Sequence, residues 1–172
     1  MKLLENSLVL LINVLITHAK RLEEYDVYKD ILKNYNSKVR PADLVNISMS
    51  FSLKQIVSID EKNQLMTSSS YLGLEWNDTR LTWNSSDYSN VTEILVPTNQ
   101  LWIIDLFVVN TGDANGYVNI ASQSLSVIQN TGLVYVIFSL TNLKTRCSLD
   151  IKHYPFDMQT CPVIRNIFLI YF

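Results

Sequence analysis

The feature that most constrains this chain is its pair of cysteines, Cys147 and Cys161, which enclose the sequence SLDIKHYPFDMQT. They are the only cysteines in the 172 residues. Such a pair permits three interpretations, namely buried free thiols, a metal site or a disulfide. Structural zinc usually takes four Cys or His ligands, and only His153 lies nearby. A disulfide needs an oxidising compartment, so the remaining sequence has to indicate one.

The first nineteen residues indicate such a compartment. Lys2 is followed by an apolar run from Leu8 to Ile16 and by the small-residue cleavage site Thr17-His18-Ala19. This layout predicts a secretory signal peptide over 1–19, too short for a membrane span, with a buried N-terminal helix as the structural alternative. Four N-glycosylation sequons point to the same route, and their acceptors are Asn46, Asn77, Asn84 and Asn90.

Composition excludes several functions. The net charge is −2 and the sequence has no basic stripe, which argues against nucleic-acid binding. The four glycines are scattered, so no phosphate-binding loop is predicted. After the leader His153 is the only histidine, and no nucleophile–base pair can be proposed. We therefore predict a protein that is not an enzyme and needs no cofactor or metal.

Hydrophobic periodicity predicts one helix followed by strands. Over Lys20–Asn34, apolar side chains recur every three or four residues, which is typical of an amphipathic helix. From Asp43 to Ile59 the period changes to two and predicts a long, half-buried strand. In Gln64–Trp76 one face carries Met66, Leu72, Leu74 and Trp76, and Tyr71 points the other way. Further strands are predicted at Leu101–Val109, Tyr117–Ile120, Leu125–Ile128, Leu133–Phe138 and Cys147–Ile151. Many short strands separated by turns predict an all-β class, an antiparallel immunoglobulin-like β-sandwich with a short N-terminal α-helix.

Five colinear blocks carry a family resemblance. They read VYKDILKNYNSKVRP, DEKNQLMT, LTWNSSDY, LWIIDLFVVNTGD and the cysteine loop with Tyr154-Pro155-Phe156-Asp157. In this order they resemble a nicotinic acetylcholine receptor-like subunit of the pentameric Cys-loop ligand-gated ion channels. The resemblance covers Val27 to Cys161, within the extracellular ligand-binding domain.

The resemblance implies a role for the cysteine loop. In the family the two cysteines are bonded, and the loop passes agonist-driven movement from the domain to the pore. Tyr154-Pro155 is a candidate cis peptide bond within the Tyr154, Pro155, Phe156, Asp157 turn. Asp157 would help to hold the shape of the loop.

The resemblance also implies a ligand site between subunits, where aromatic rings attract a cationic amine such as acetylcholine. Tyr71 matches the aromatic residue of the complementary face, with an exposed strand tyrosine as the structural alternative. Val109 stands where principal-face subunits usually carry tyrosine. Trp76, Trp83, Trp102 and Asp105 match positions to which we assign structural roles.

After Cys161 the sequence PVIRNIFLIYF departs from the family pattern. We therefore expect a partial ligand-binding domain over 20–161, without its last strands, and a divergent hydrophobic tail over 162–172. The predicted function is neurotransmitter binding by a domain of a cation channel. The channel is expected to be a pentamer of homologous subunits, and this domain is expected at the extracellular face of the plasma membrane. The alternative is a secreted binder resembling the acetylcholine-binding proteins. A fragment of this kind is not expected to form a pore or a complete agonist site alone.

Overall fold

The structure, a computed structural model, describes residues 22–113, 124–150, 152, 156–162 and 167–169. Helix α1 covers 22–32. The strands are β1 Ile47–Asp60, β2 Leu65–Asn77, β3 Glu93–Pro97, β4 Leu106–Val108, β5 Leu125–Gln129, β6 Leu133–Arg146 and β7 Ile167–Leu169. Short 3₁₀ helices lie at Thr79–Leu81, Ser85–Tyr88 and Thr98–Gln100. The larger sheet has the order β1-β2-β6-β5-β3, and β4 pairs with β7. This largely antiparallel β-structure with one N-terminal helix confirms the predicted all-β class.

The chain divides into two compact units. The first contains the described residues up to Ile47 together with Glu75–Trp102 and Leu125–Val136, and so includes α1, β3 and β5. The second contains Ser48–Leu74 and the described residues of the ranges 103–124 and 137–172, and so includes β4 and β7. β1, β2 and β6 each contribute residues to both units.

In the first unit, β3 and β5 form an antiparallel pair in which Leu95 lies opposite Val127. Ile94, Val96 and Ile128 are buried, whereas Leu95 is exposed, so one face of the pair covers the core. Burying a side chain of this size contributes about 1.5–3 kcal/mol. β3 was not predicted from the sequence, because its three central residues, Ile94, Leu95 and Val96, are all apolar and show no alternation.

The alternation predicted for β2 agrees with the structure. Met66, Leu72 and Leu74 are buried, and Tyr71 is exposed. The prediction for β1 was wrong in one respect. Its apolar residues Met49, Leu53 and Val57 are 40–49% exposed, so this strand is not half-buried. β1 is an edge strand with β2 as its one neighbour in the sheet, and only Ile47 and Phe51 of its residues are partly buried.

Two predicted strands are largely loop, because other partners take their backbone hydrogen bonds. In Leu101–Val109 only Leu106–Val108 is a strand. Leu101 N–H donates to the Thr98 carbonyl and Trp102 N–H to the Tyr35 hydroxyl. The described residues of Cys147–Ile151 form a loop, whereas β6 continues to Arg146, well past the predicted Phe138. The strand predicted at Tyr117–Ile120 lies outside the described residues.

Candidate functional site

The first part of the candidate site, in the second unit, is the exposed ring of Tyr71 on β2. Because side chains alternate along a strand, the buried neighbours Ser70 and Leu72 turn Tyr71 away from the core. The Tyr71 side chain is 41% exposed. Lys54 of β1 places its ammonium nitrogen 5.8 Å from the centroid of the Tyr71 ring. This distance is within the range of a cation–π contact, so the ring is already oriented to receive a positive charge.

Val109, just after β4, is exposed but aliphatic. It has no π-system to offer a cation. The aromatic chemistry of the second unit's candidate site therefore rests on Tyr71.

The second part of the site is the cysteine loop. A disulfide joins Cys147 to Cys161, with the Cα atoms 4.9 Å apart. Cys147 is fully buried, and its N–H donates to the Gln64 carbonyl at 2.9 Å. Leu149 N–H donates to Gln64 Oε1 at 2.6 Å. Gln64 has a φ of 56°, a left-handed conformation that is uncommon outside glycine. The turn after β1 is thereby fixed to the base of the loop.

Within the loop, one amide side chain joins the two arms. Gln159 Oε1 accepts from the Asp150 N–H at 3.0 Å, and Gln159 Nε2 donates to the Asp150 carbonyl at 2.7 Å. The same Nε2 donates to the carboxylate of Asp157. Phe156 is 93% exposed and Met158 is 92% exposed, whereas Tyr154 and Pro155 lie outside the described residues. The loop therefore presents two large apolar side chains to solvent.

In the first unit, a buried carboxylate organises the segment after β2. Asp78 is fully buried. Its carboxylate accepts hydrogen bonds from Arg80 Nε at 2.8 Å and from Arg80 Nη2 at 2.7 Å. The Tyr35 hydroxyl donates to Asp78 Oδ2 at 2.8 Å. The Asp78 N–H donates to the carbonyl of Gly132, where a Cβ would lie 2.6 Å from the Asp78 carbonyl oxygen. Only glycine allows this close approach.

The electrostatics of this cluster assign it to structure. Burial raises the pKa of Tyr35 to about 12. The hydrogen bond from the Trp102 N–H acts in the opposite direction, and the hydrogen bond to Asp78 adds to the increase. The hydrogen bond to Asp78 raises the pKa of Arg80. The Arg80 guanidinium also lies 4.6 Å from the centroid of the Tyr35 ring. Since each charge in the cluster already has a partner, the cluster fastens the segment after α1 and offers no free group to a ligand.

The pKa of Tyr35 predicts a loss of stability in alkali. Below pH 10 the phenol is neutral in both states, but between about pH 10 and 12 only the unfolded chain ionises, so stability falls as pH rises. The expected loss is up to about 2 kcal/mol, because partial solvent exposure reduces the full effect. The test is urea unfolding of wild type and Tyr35→Phe from pH 8 to 12. Tyr35→Phe should be less stable than wild type at pH 8, and the difference in the free energy of unfolding should shrink towards pH 12. Parallel curves for the two proteins would contradict this assignment.

The three tryptophans are engaged in packing or backbone contacts. Trp76 and Trp102 meet edge to face, with ring centroids 6.2 Å apart. Trp83 Nε1 donates to the Val91 carbonyl at 2.7 Å. Asp105 is exposed, and no described residue bonds to its carboxylate. Each of the four sequon asparagines, Asn46, Asn77, Asn84 and Asn90, is exposed.

Sequence reasoning missed the polar residues that hold the site. Asp78 carried a usable signal, because it continues the buried register of Leu72, Leu74 and Trp76 and a buried carboxylate requires a partner. Gln64, Gln159 and Lys54 carried no such signal, since their partners are distant in sequence or defined only by the loop. Among the described residues there is no group of three or more metal-ligating side chains. No helix in the described part of the chain is long and apolar enough to cross a membrane.

The described residues thus combine a largely antiparallel β-structure, a disulfide-closed loop and an exposed tyrosine ring that a lysine ammonium approaches. A family model described as the neurotransmitter-gated ion-channel ligand binding domain matches residues 24–166. The chain belongs to this family, and within it to the ligand-binding domains of nicotinic acetylcholine receptor-like subunits.

Individual relatives agree. The chain is 33% identical to the acetylcholine receptor subunit alpha-type acr-16 of Caenorhabditis elegans, over 81% of this chain and 28% of that protein. It is 33% identical to the human neuronal acetylcholine receptor subunit alpha-2, over 78% of this chain and 26% of that protein. It is 34% identical to the acetylcholine receptor subunit alpha-L1 of Schistocerca gregaria, over 83% of this chain and 25% of that protein. The chain thus spans about a quarter of these relatives.

Proposed function

We propose that this chain supplies the complementary face of a neurotransmitter site formed between homologous subunits of a pentameric cation channel. The observation that carries the proposal is the Lys54 ammonium over the exposed ring of Tyr71, 5.8 Å from its centroid. A small cationic ligand such as acetylcholine would use the same ring face. The aliphatic side chain of Val109 supports a complementary rather than a principal role.

The Tyr71 proposal is tested in a chimaera in which this domain replaces the ligand-binding domain of a full-length nicotinic acetylcholine receptor subunit, expressed in oocytes. Tyr71→Ala is expected to raise the agonist concentration for half-maximal current about tenfold, because one cation–π partner contributes about 1–2 kcal/mol when desolvated. Lys54→Met is expected to lower that concentration, since it removes a competing positive charge from the ring. Tyr135→Ala, at another exposed strand tyrosine, is the matched control and should change little. An unchanged response in Tyr71→Ala would remove Tyr71 from the site.

The cysteine loop is proposed to carry the movement of the domain to the channel. Support comes from the disulfide, the Gln159 hydrogen bonds and the outward-facing Phe156 and Met158. Phe156→Ala should reduce maximal current while leaving agonist binding unchanged, because the residue lies away from Tyr71 in the sequence and would act after binding. Loss of binding in this variant would assign Phe156 to folding or to the ligand site instead.

We also place the domain in the secretory pathway and at the extracellular face of the plasma membrane. The four exposed sequon asparagines and the disulfide support this location. Treatment of the cell-expressed protein with peptide-N-glycosidase should increase its electrophoretic mobility. A protein with unchanged mobility and two free thiols would contradict the location.

A further inference from the structure

A cavity of about 520 Å³ lies in the first unit between α1 and the outward face of the β3–β5 pair. Its described lining is Glu24, Tyr25 and Tyr28 from the helix, with Asn90, Val91, Thr92, Glu93, Ile94, Leu95 and Val127. We propose that this cavity binds a small alkylated ammonium ion, at a site separate from Tyr71. The volume is within the range of small-molecule sites in proteins.

The charge of the lining selects a cation. Glu24 and Glu93 contribute two carboxylates, and none of the described lining residues is cationic. Neither carboxylate forms an ion pair with a described residue. The neighbouring cavity of about 460 Å³ differs, because it contains Arg80, and its Asp30 already accepts from the Tyr88 hydroxyl at 2.9 Å. Among the described residues, the two carboxylates of the 520 Å³ cavity have no cationic partner.

The aromatic residues favour an organic cation. Tyr28 is fixed by its hydroxyl, which donates to Gln100 Oε1 at 2.6 Å, so its ring is held against the cavity. Tyr25 is 61% exposed, and its hydroxyl has no hydrogen-bond partner among the described residues. An ammonium ion over the face of an exposed ring gains about 0.5–1 kcal/mol, which is a two- to fivefold effect on affinity.

The apolar wall decides between an alkylated ammonium and a metal ion. Leu95 of β3 and Val127 of β5 lie opposite each other in the sheet, and Leu95 is 61% exposed. Val91 and Ile94 also line the cavity, although their own side chains are buried. The carboxylates by themselves would suit a hard metal ion, which takes oxygen ligands, but the aliphatic and aromatic carbon of this lining packs directly against N-methyl groups.

The test compares choline with 3,3-dimethylbutan-1-ol, an uncharged molecule of nearly the same shape, by isothermal titration of the purified, secreted full chain. Choline is expected to bind at least about tenfold more tightly than the alcohol. The double variant with Glu24→Gln and Glu93→Gln, in which each substitution is nearly isosteric, should bind choline about tenfold more weakly. Glu61→Gln with Glu75→Gln removes the same charge elsewhere and should leave affinity unchanged. Melting temperatures establish that each variant is folded.

Other variants separate this site from the alternatives. Tyr25→Leu should weaken choline binding two- to fivefold, whereas the Tyr71 proposal predicts no change in this variant, so failure of this proposal and failure of the Tyr71 proposal are distinguishable. Equal affinity for choline and the alcohol, or loss of binding only in Tyr71→Ala, would overturn the proposal. Thr92→Ala removes the sequon of Asn90, which lines the cavity. Choline binding seen in Thr92→Ala but not in wild type would show that a sugar fills the cavity, which also overturns it.

Discussion

Replacing Cys147 and Cys161 together by serine is expected to lower the free energy of unfolding by about 3 kcal/mol. The disulfide closes a loop with a sequence separation of 14, and a loop of this size restricts the unfolded chain by about that amount. Cys147 is fully buried, so a serine hydroxyl there adds the cost of burying a polar group. Urea unfolding of the purified protein measures the loss, and the yield of secreted protein should fall with it.

The matched control for the cysteine pair is Ser148→Ala, at the exposed neighbour of Cys147. Its unfolding midpoint should equal that of wild type within about 0.5 kcal/mol. The serine pair and wild type unfolding at the same urea concentration would show that the bond does not stabilise the domain. Wild type treated with a reducing agent should lose about as much free energy of unfolding as the variant with both cysteines replaced by serine.

Arg80→Met is expected to cost about 3 kcal/mol. The substitution keeps an unbranched apolar stem but leaves the fully buried Asp78 carboxylate without its two guanidinium hydrogen bonds. Removing one partner of a buried ion pair typically costs about 3–5 kcal/mol, and the partial exposure of Arg80 favours the lower value. The Arg80 bond to the Val39 carbonyl at 2.8 Å is lost as well. Urea unfolding at pH 7 measures the effect.

The control for Arg80 is Arg40→Met. Arg40 pairs with Asp43 at 3.4 Å, but both side chains are exposed, so this pair contributes less than about 1 kcal/mol. Equal losses of stability in Arg40→Met and Arg80→Met would show that burial of Asp78 does not make the Arg80–Asp78 pair stronger than the exposed Arg40–Asp43 pair. Both substitutions remove the same side chain, so the difference between them measures the buried pair together with the other contacts of Arg80, such as its bond to the Val39 carbonyl.

The local sequence pattern predicted those elements whose buried and exposed faces follow from their own residues. In β2, Tyr71 could be assigned to the face opposite Leu72 and Leu74 from side-chain alternation, although Ser69 and Gly73 on the Tyr71 face are buried. The helix was predicted at 20–34 from its period and is described over 22–32. β1 shows the limit of this reasoning. Alternation shows that two faces differ, but whether the apolar face is covered depends on a second layer.

The residues that hold the candidate sites could not be predicted in the same way. Gln159 is an ordinary polar residue in the sequence, yet its amide joins Asp150 to Asp157 once the loop is closed. Lys54 and Tyr71 come together because β1 and β2 are neighbours in the sheet. Such pairs depend on strand register, which a single sequence does not specify.

By itself the sequence determined the family, the all-β class and the chemical character of its motifs, because these follow from residue order and from the alternation of apolar and polar residues. Only the tertiary structure decided which polar groups meet. It brought Tyr35 to Asp78 across 43 residues and gave Asp150 a partner in Gln159. It also left Glu24 and Glu93 beside two tyrosines without a cation among the described residues. The physical reason is that hydrogen bonds and charges act over a few ångströms, and only the folded chain sets those distances.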